Sequence, residues 1–222
     1  MTLTTTPTTE ASATDASTAL TWRRWAFVVS PVVGGALIAV ASAVDPAAGA
    51  DGRELYEKYA AETDLQQLHT VLLHWGFGFF GVSALFVTGL VRGRGAWLAN
   101  LAVALGFTGL ITLPGLVAVD FVTSASTLAN GVDATIALDA RMEEMWGLGV
   151  FALPGMIGLI AGPVLAGVAL ARARLVRWWA PVLVLLSFLA WGQTGASWWG
   201  GVIMTVLLAG YAVALFRATD RR

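Results

Sequence analysis

Unbroken apolar length is the feature of this sequence that most restricts its fold. Residues 27–44 (FVVSPVVGGALIAVASAV), 68–91 (LHTVLLHWGFGFFGVSALFVTGLV), 97–119 (WLANLAVALGFTGLITLPGLVAV) and 145–171 (MWGLGVFALPGMIGLIAGPVLAGVALA) contain no carboxylate, lysine or arginine. A helix crossing the hydrocarbon core of a bilayer needs roughly 20 such residues. A last apolar region, 178–216, is too long for one crossing and is divided by GQTGAS at 192–197. The two halves, WWAPVLVLLSFLAW and WWGGVIMTVLLAGYAVALF, bring the expected count to six. Only 12% of the residues are charged, against about a quarter in a soluble domain. The sequence therefore predicts an all-α, six-transmembrane-helix bundle embedded in a lipid bilayer.

The arginines orient it. With both termini cytoplasmic, the inside segments carry Arg23, Arg24, Arg92, Arg94, Arg172, Arg174, Arg177, Arg217, Arg221 and Arg222, leaving only Arg53, Lys58 and Arg141 of the 13 basic residues outside. This is the bias that sets membrane topology. Acidic residues gather on the other side, from Asp45 to Asp64 and from Asp120 to Glu144. The sequence ASA at 41–43 offers a signal-peptidase site after Ala43, but the polar segment ahead of Arg23 is longer than a signal peptide carries and the rest of the chain is itself polytopic, so retention of the first span is expected. The chain divides into a disordered polar tail at 1–22, a six-span membrane domain at 23–217 and a short basic cytoplasmic tail at 218–222. The tail is expected to be disordered because Thr, Ser and Ala give it almost nothing to bury. There is no cysteine, which excludes disulfides, thiolate catalysis and Cys-ligated metal centres.

The first two outer loops, 45–66 and 120–144, are long enough to hold a short interfacial helix each. In DGRELYEKYAAETDLQQL, Leu55 and Tyr59 recur at helical spacing while Glu54, Glu57 and Glu62 take polar positions. DATIALDARMEEMW gives a second such helix through Ile136. Gly158 and Gly162 share a helix face, and their close-approach surface fits either a homodimer contact or packing within the bundle, the latter being expected. Pro114 with Gly115, and Pro154 with Gly155, stand where they could interrupt spans three and four.

The chain's two histidines, His69 and His74, open the second span in QQLHTVLLHWGF. Five positions separate them, about 140° around a helix, so a straight helix cannot aim both at one ligand. No HExxH spacing is present. A bis-histidine haem is not expected either, because no third histidine exists to face either of these. His69 lies close to the outer surface and is expected to hydrogen-bond at the interface. His74 is deeper, and an ionisable group at that depth faces protein or water. Gln67, seven residues earlier, falls near the same face, which is expected to point into the bundle. Asp120 closes span three, while Glu143 and Glu144 stand where the first turn of span four has bare N–H groups and favours negative charge. His74, Asp120, Glu144 and His69 are thus the candidate metal ligands, their mixed imidazole and carboxylate chemistry suiting a divalent ion.

With VRGRGAWLANLAVALGF following the histidine-bearing span, residues 23–217 resemble small polytopic membrane proteins of high-GC, arginine-favouring bacteria. The resemblance implies a multi-pass protein of the bacterial inner membrane and transfers no activity or residue role. No phosphate-binding or nucleophile-elbow motif appears, and nucleic acid is not expected as a partner. The leading functional reading is an outward-facing polar site that binds or transports an ion or small polar molecule. Two alternatives stay open: a noncatalytic subunit that stabilises or regulates a membrane-protein partner, and an intramembrane metal-dependent or redox enzyme.

Overall fold

The computed structural model describes residues 10–220, with side chains over 21–219. Its elements are α1 (Glu10–Val44), α2 (Gly52–Ala61), α3 (Thr63–Leu85), α4 (Val87–Leu90), α5 (Ala96–Val117), α6 (Val119–Asn130), α7 (Val132–Glu143), α8 (Trp146–Arg172), α9 (Trp179–Gln193) and α10 (Trp198–Asp220). Every one is helical. Of the expected polar tail at 1–22, residues 1–9 lie outside the described residues and α1 begins at Glu10. Residues 221 and 222 of the expected basic tail also lie outside them.

Among the described residues, five helical segments are long and apolar enough to cross a membrane: Thr21–Val44, Thr63–Leu90, Ala96–Asn130, Trp146–Arg172 and Trp198–Thr219. This corrects the six-span expectation, and with it the topology argued from an even number of crossings. The difference is α9. It has 15 residues, which at 1.5 Å each rise about 22 Å, short of a ~30 Å hydrocarbon core. Its C-terminal end is set by Gly195 and Ala196, both in the left-handed region at φ 63° and 58°, a conformation that ends a helix. The apolar half from which α9 forms, 178–191, is itself shorter than a crossing needs.

The bundle is built on α3, which packs against α1, α5 and α8, while α10 packs on α1 and α9. Small residues set these contacts because apolar side chains gain little from leaving lipid for protein, so close packing must supply the attraction. At the α5–α8 seam a Cβ on Gly158 would sit 2.7 Å from the backbone nitrogen of Gly109, and one on Gly162 would sit 2.7 Å from Cα of Gly106. The face shared by Gly158 and Gly162 is therefore filled within the chain. Gly34 of α1 meets α3 in the same way, 2.7 Å from the nitrogen of Phe80. Phe80 is fully buried and stands edge-on to Phe188 of α9, with centroids 4.7 Å apart.

The prolines leave their helices continuous. Pro154 and Pro163 lie inside an unbroken α8, while α5 continues three residues past Pro114 to Val117 before the break at Ala118. The indole of Trp191 links α9 to α1 and α3: its Nε1 donates to Ser42 Oγ at 3.1 Å, and its ring stands edge-on to Phe77.

The bundle has two chemically distinct ends. At one, Arg24 Nε donates to Thr219 Oγ1 at 3.0 Å, so the start of the first span meets the end of α10. At the other, α2, α6 and α7 contact one another over the mouth of the bundle. Both loop segments expected to be helical are helical, as α2 and α7. The additional α6 arises because Val119–Asn130, which from Asp120 onward the sequence placed in an outer loop, continues as helix after the Ala118 break.

Candidate functional site

The first turns of α3 carry Gln66, His69 and Thr70, at spacings of three and four that place them on one helix face. That face points inward. Gln66 and Thr70 are 0% exposed and His69 is 8% exposed. The face presses on the C-terminal turn of α1, where the last four carbonyls of a helix have no intrahelical donor. His69 Nδ1 lies 2.8 Å from one of them, the carbonyl oxygen of Ala41. A carbonyl only accepts, so Nδ1 carries a proton and the other ring nitrogen, Nε2, is turned away from this bond.

From Gln66 a short relay runs to a carboxylate. Gln66 Nε2 donates to Thr70 Oγ1 at 3.0 Å, and Thr70 Oγ1 donates to Asp120 Oδ2 at 3.4 Å. The Ala118 break turns the chain so that Asp120, in the first turn of α6, faces α3. Asp120 also interacts electrostatically with His69 and with Asp45 and Asp139. The carbonyl oxygen of Gln66 has no partner although it is buried. An unpaired acceptor in such a place costs about 1–3 kcal/mol.

The three short helices close over this group. Tyr59 of α2 is buried, and burial together with the carboxylates of Asp45 and Asp120 pushes its phenol pKa up. Tyr56 donates its hydroxyl to Asp139 of α7. Burial first, then the Asp139 bond and the charges of Asp139 and Glu143, pushes the Tyr56 pKa up to about 12. Arg53 pairs with Asp133, joining α2 to α7 a second time. Within the cover, Thr127 Oγ1 donates to Thr135 Oγ1 at 3.2 Å and ties α6 to α7.

The structure divides the four expected ligands. His69 and Asp120 belong to the buried cluster. His74 does not: its Nδ1 lies 2.9 Å from the carbonyl oxygen of Pro114, in the last turn of α5, and its ring is largely exposed on the side of the bundle. The face expected to run inward from Gln67 through His74 is thus an outward one, with Gln67 also exposed and its amide turned back to the Thr63 carbonyl. Glu144 is exposed at the C-terminal boundary of α7. Neither acid of the Glu143–Glu144 pair caps α8, whose N-cap position is Met145 with no side-chain hydrogen bond. Among the described residues no group of three or more His, Asp or Glu side chains is close enough to hold a metal ion.

The residues that sequence reasoning passed over are Gln66, Thr70 and Tyr59. A signal for the first two was present: two uncharged polar side chains four apart at the head of a span lie on one face and can bond each other. The atoms the cluster offers are the Gln66 carbonyl, the Thr70 hydroxyl, the Asp120 carboxylate and His69 Nε2. Nearly all are oxygens, carrying a single formal negative charge.

Set against protein-family models, curated proteins and solved structures, the chain matches none of them.

Proposed function

We propose that this multi-pass membrane protein, in a bacterial inner membrane, binds a small monovalent cation, either a metal ion or a protonated amine, at the Gln66–Thr70–Asp120 cluster as the first step of moving it through the bundle. The observation that carries the reading is the unpartnered, fully buried carbonyl oxygen of Gln66 two hydrogen bonds from a carboxylate. Such an acceptor is destabilising unless something donates to it or coordinates it. One charge and a few oxygen donors suit a monovalent guest. A hard divalent ion takes six to eight oxygens, several of them carboxylate.

The test uses the full chain in mild detergent and in liposomes. Sodium, potassium, ammonium and methylammonium are titrated against intrinsic tryptophan fluorescence, then supplied on one side of the liposomes as flux substrates. At least one should give a saturable response and a flux above empty liposomes, and both should disappear in Asp120→Asn and Gln66→Leu. A folded wild-type protein with no saturable response to any of the four would overturn the reading.

A further inference from the structure

Gln66 Oε1 is not the only buried oxygen at this end of the molecule without a hydrogen-bond partner. Ser124 Oγ, on α6, is another. The two residues are 0% and 3% exposed.

Helix register places them opposite one another. α5 runs antiparallel to α3: a Cβ on Gly106 would fall 2.6 Å from that of Ala84, and one on Gly81 would fall 3.4 Å from the Leu110 side chain. The Thr70–Asp120 bond carries the same count onto α6, which stays in contact with α3 beyond the Ala118 break. Gln66 is four residues before Thr70, and Ser124 is four residues after Asp120. A spacing of four keeps one helix face. Gln66 and Ser124 therefore face each other across the α3–α6 seam, one turn beyond the bond that joins Thr70 to Asp120.

Neither atom serves the other, since both are left unpaired. Two buried oxygens in that position are costly on their own, and beside a carboxylate they make a seat for a positively charged donor. The number of acceptors narrows its chemistry. The seam offers Gln66 Oε1, Ser124 Oγ and the Asp120 oxygen that Thr70 does not use. An ammonium group has separate N–H donors that match three acceptors one to one. An alkali ion has no such donors, and it gives up its water only to a fuller ring of oxygens.

We propose that the guest of this site is ammonium or a small protonated primary amine, clasped between Gln66 and Ser124 and donating to both and to Asp120. The inference rests on the cation-binding reading, and it adds Ser124 as a ligand supplied by a helix of the cover.

The full chain in mild detergent is titrated with ammonium, methylammonium, sodium and potassium chlorides, followed by tryptophan fluorescence, as wild type, Ser124→Ala and Ser126→Ala. Ammonium and methylammonium should bind about tenfold or more tighter than potassium, which has the charge and nearly the size of ammonium but no N–H. Ser124→Ala should weaken both about tenfold, the loss of one hydrogen bond to a charged group. It deletes an unpartnered buried oxygen, so it should unfold at the wild-type temperature or above it. Ser126 accepts from Thr135 within the cover, and Ser126→Ala should keep the wild-type affinities. Sodium or potassium binding as tightly as ammonium would overturn the inference and leave the cation reading standing. Wild-type ammonium affinity in Ser124→Ala would do the same. No saturable response to any of the four salts would remove the cation reading and this inference together.

Discussion

His74 donates its Nδ1 proton to the carbonyl oxygen of Pro114 at 2.9 Å, a side chain of one span closing the helix end of another. The donor that would ordinarily serve that carbonyl, the N–H of Ala118, turns instead to Gly115 and Leu116. The histidine therefore supplies a bond that the backbone has given up. His74→Ala should lower stability in detergent by about 1–3 kcal/mol, the cost of an unmet buried acceptor. His74→Asn, whose amide nitrogen occupies nearly the position of Nδ1, should recover most of it. Thermal unfolding followed by tryptophan fluorescence distinguishes the two.

Gly158→Ala tests the α5–α8 seam. The new methyl would meet backbone atoms of Gly109 and the carbonyl of Leu105, neither of which can rotate away. Overpacking of this kind costs about 1–3 kcal/mol. Gly78→Ala, with nothing within 4 Å of the added carbon, should be neutral or gain up to about 1 kcal/mol from reduced backbone entropy. The two variants should shift the unfolding temperature in opposite directions.

Gln66→Leu should separate stability from function. It removes a buried carbonyl oxygen that has no partner and gives up one neutral hydrogen bond, to Thr70. The first change is worth about 1–3 kcal/mol and the second about 0.5–1.5 kcal/mol, in opposite senses. The variant should unfold at the wild-type temperature or above it while losing the cation-dependent fluorescence change. A large drop in unfolding temperature would mean that the carbonyl is satisfied by the fold itself.

Tyr56 gives the cover of short helices a dependence on alkaline pH. Its pKa is raised from 10.0 to about 12, so the folded protein holds the phenolic proton more tightly than the unfolded chain. The resulting stability is complete below pH 10 and is lost as pH rises through about 12. Tyrosinate absorbance and unfolding temperature followed over that interval should move together, and Tyr56→Phe should remove that part of the change. Tyr59 is held protonated in the same sense, by burial and two carboxylates, and remains in the variant as an internal comparison.

The sequence made the helical class, all five of the long spans and the two short helices plain, because continuous apolar length and local helical spacing are properties of neighbouring residues. The phase of α3 was not legible in this way. Inside a membrane the buried and lipid-facing sides of a helix are equally apolar, so the period is visible while its direction is not. The result was an inward assignment one residue off: Gln67 and His74 in place of Gln66, His69 and Thr70. Asp120 was found because a carboxylate at a span end is conspicuous. Its partners were not, since the contact between α3 and α6 joins residues 50 positions apart. The shortness of α9 was legible, since its apolar half at 178–191 ends at GQTGAS; the error lay in counting so short a segment as a crossing.

The glycine seam between α5 and α8 also has a mechanical meaning. Where side chains interdigitate, helices can slide by exchanging rotamers, but main chain against main chain has no such slack. The pair must move as a single beam. If the cluster binds a cation as proposed, the movement that releases it has to take place where that beam meets its surroundings: at Phe86 between α3 and α4, or at Ala118, where the beam ends and the acidic cover begins.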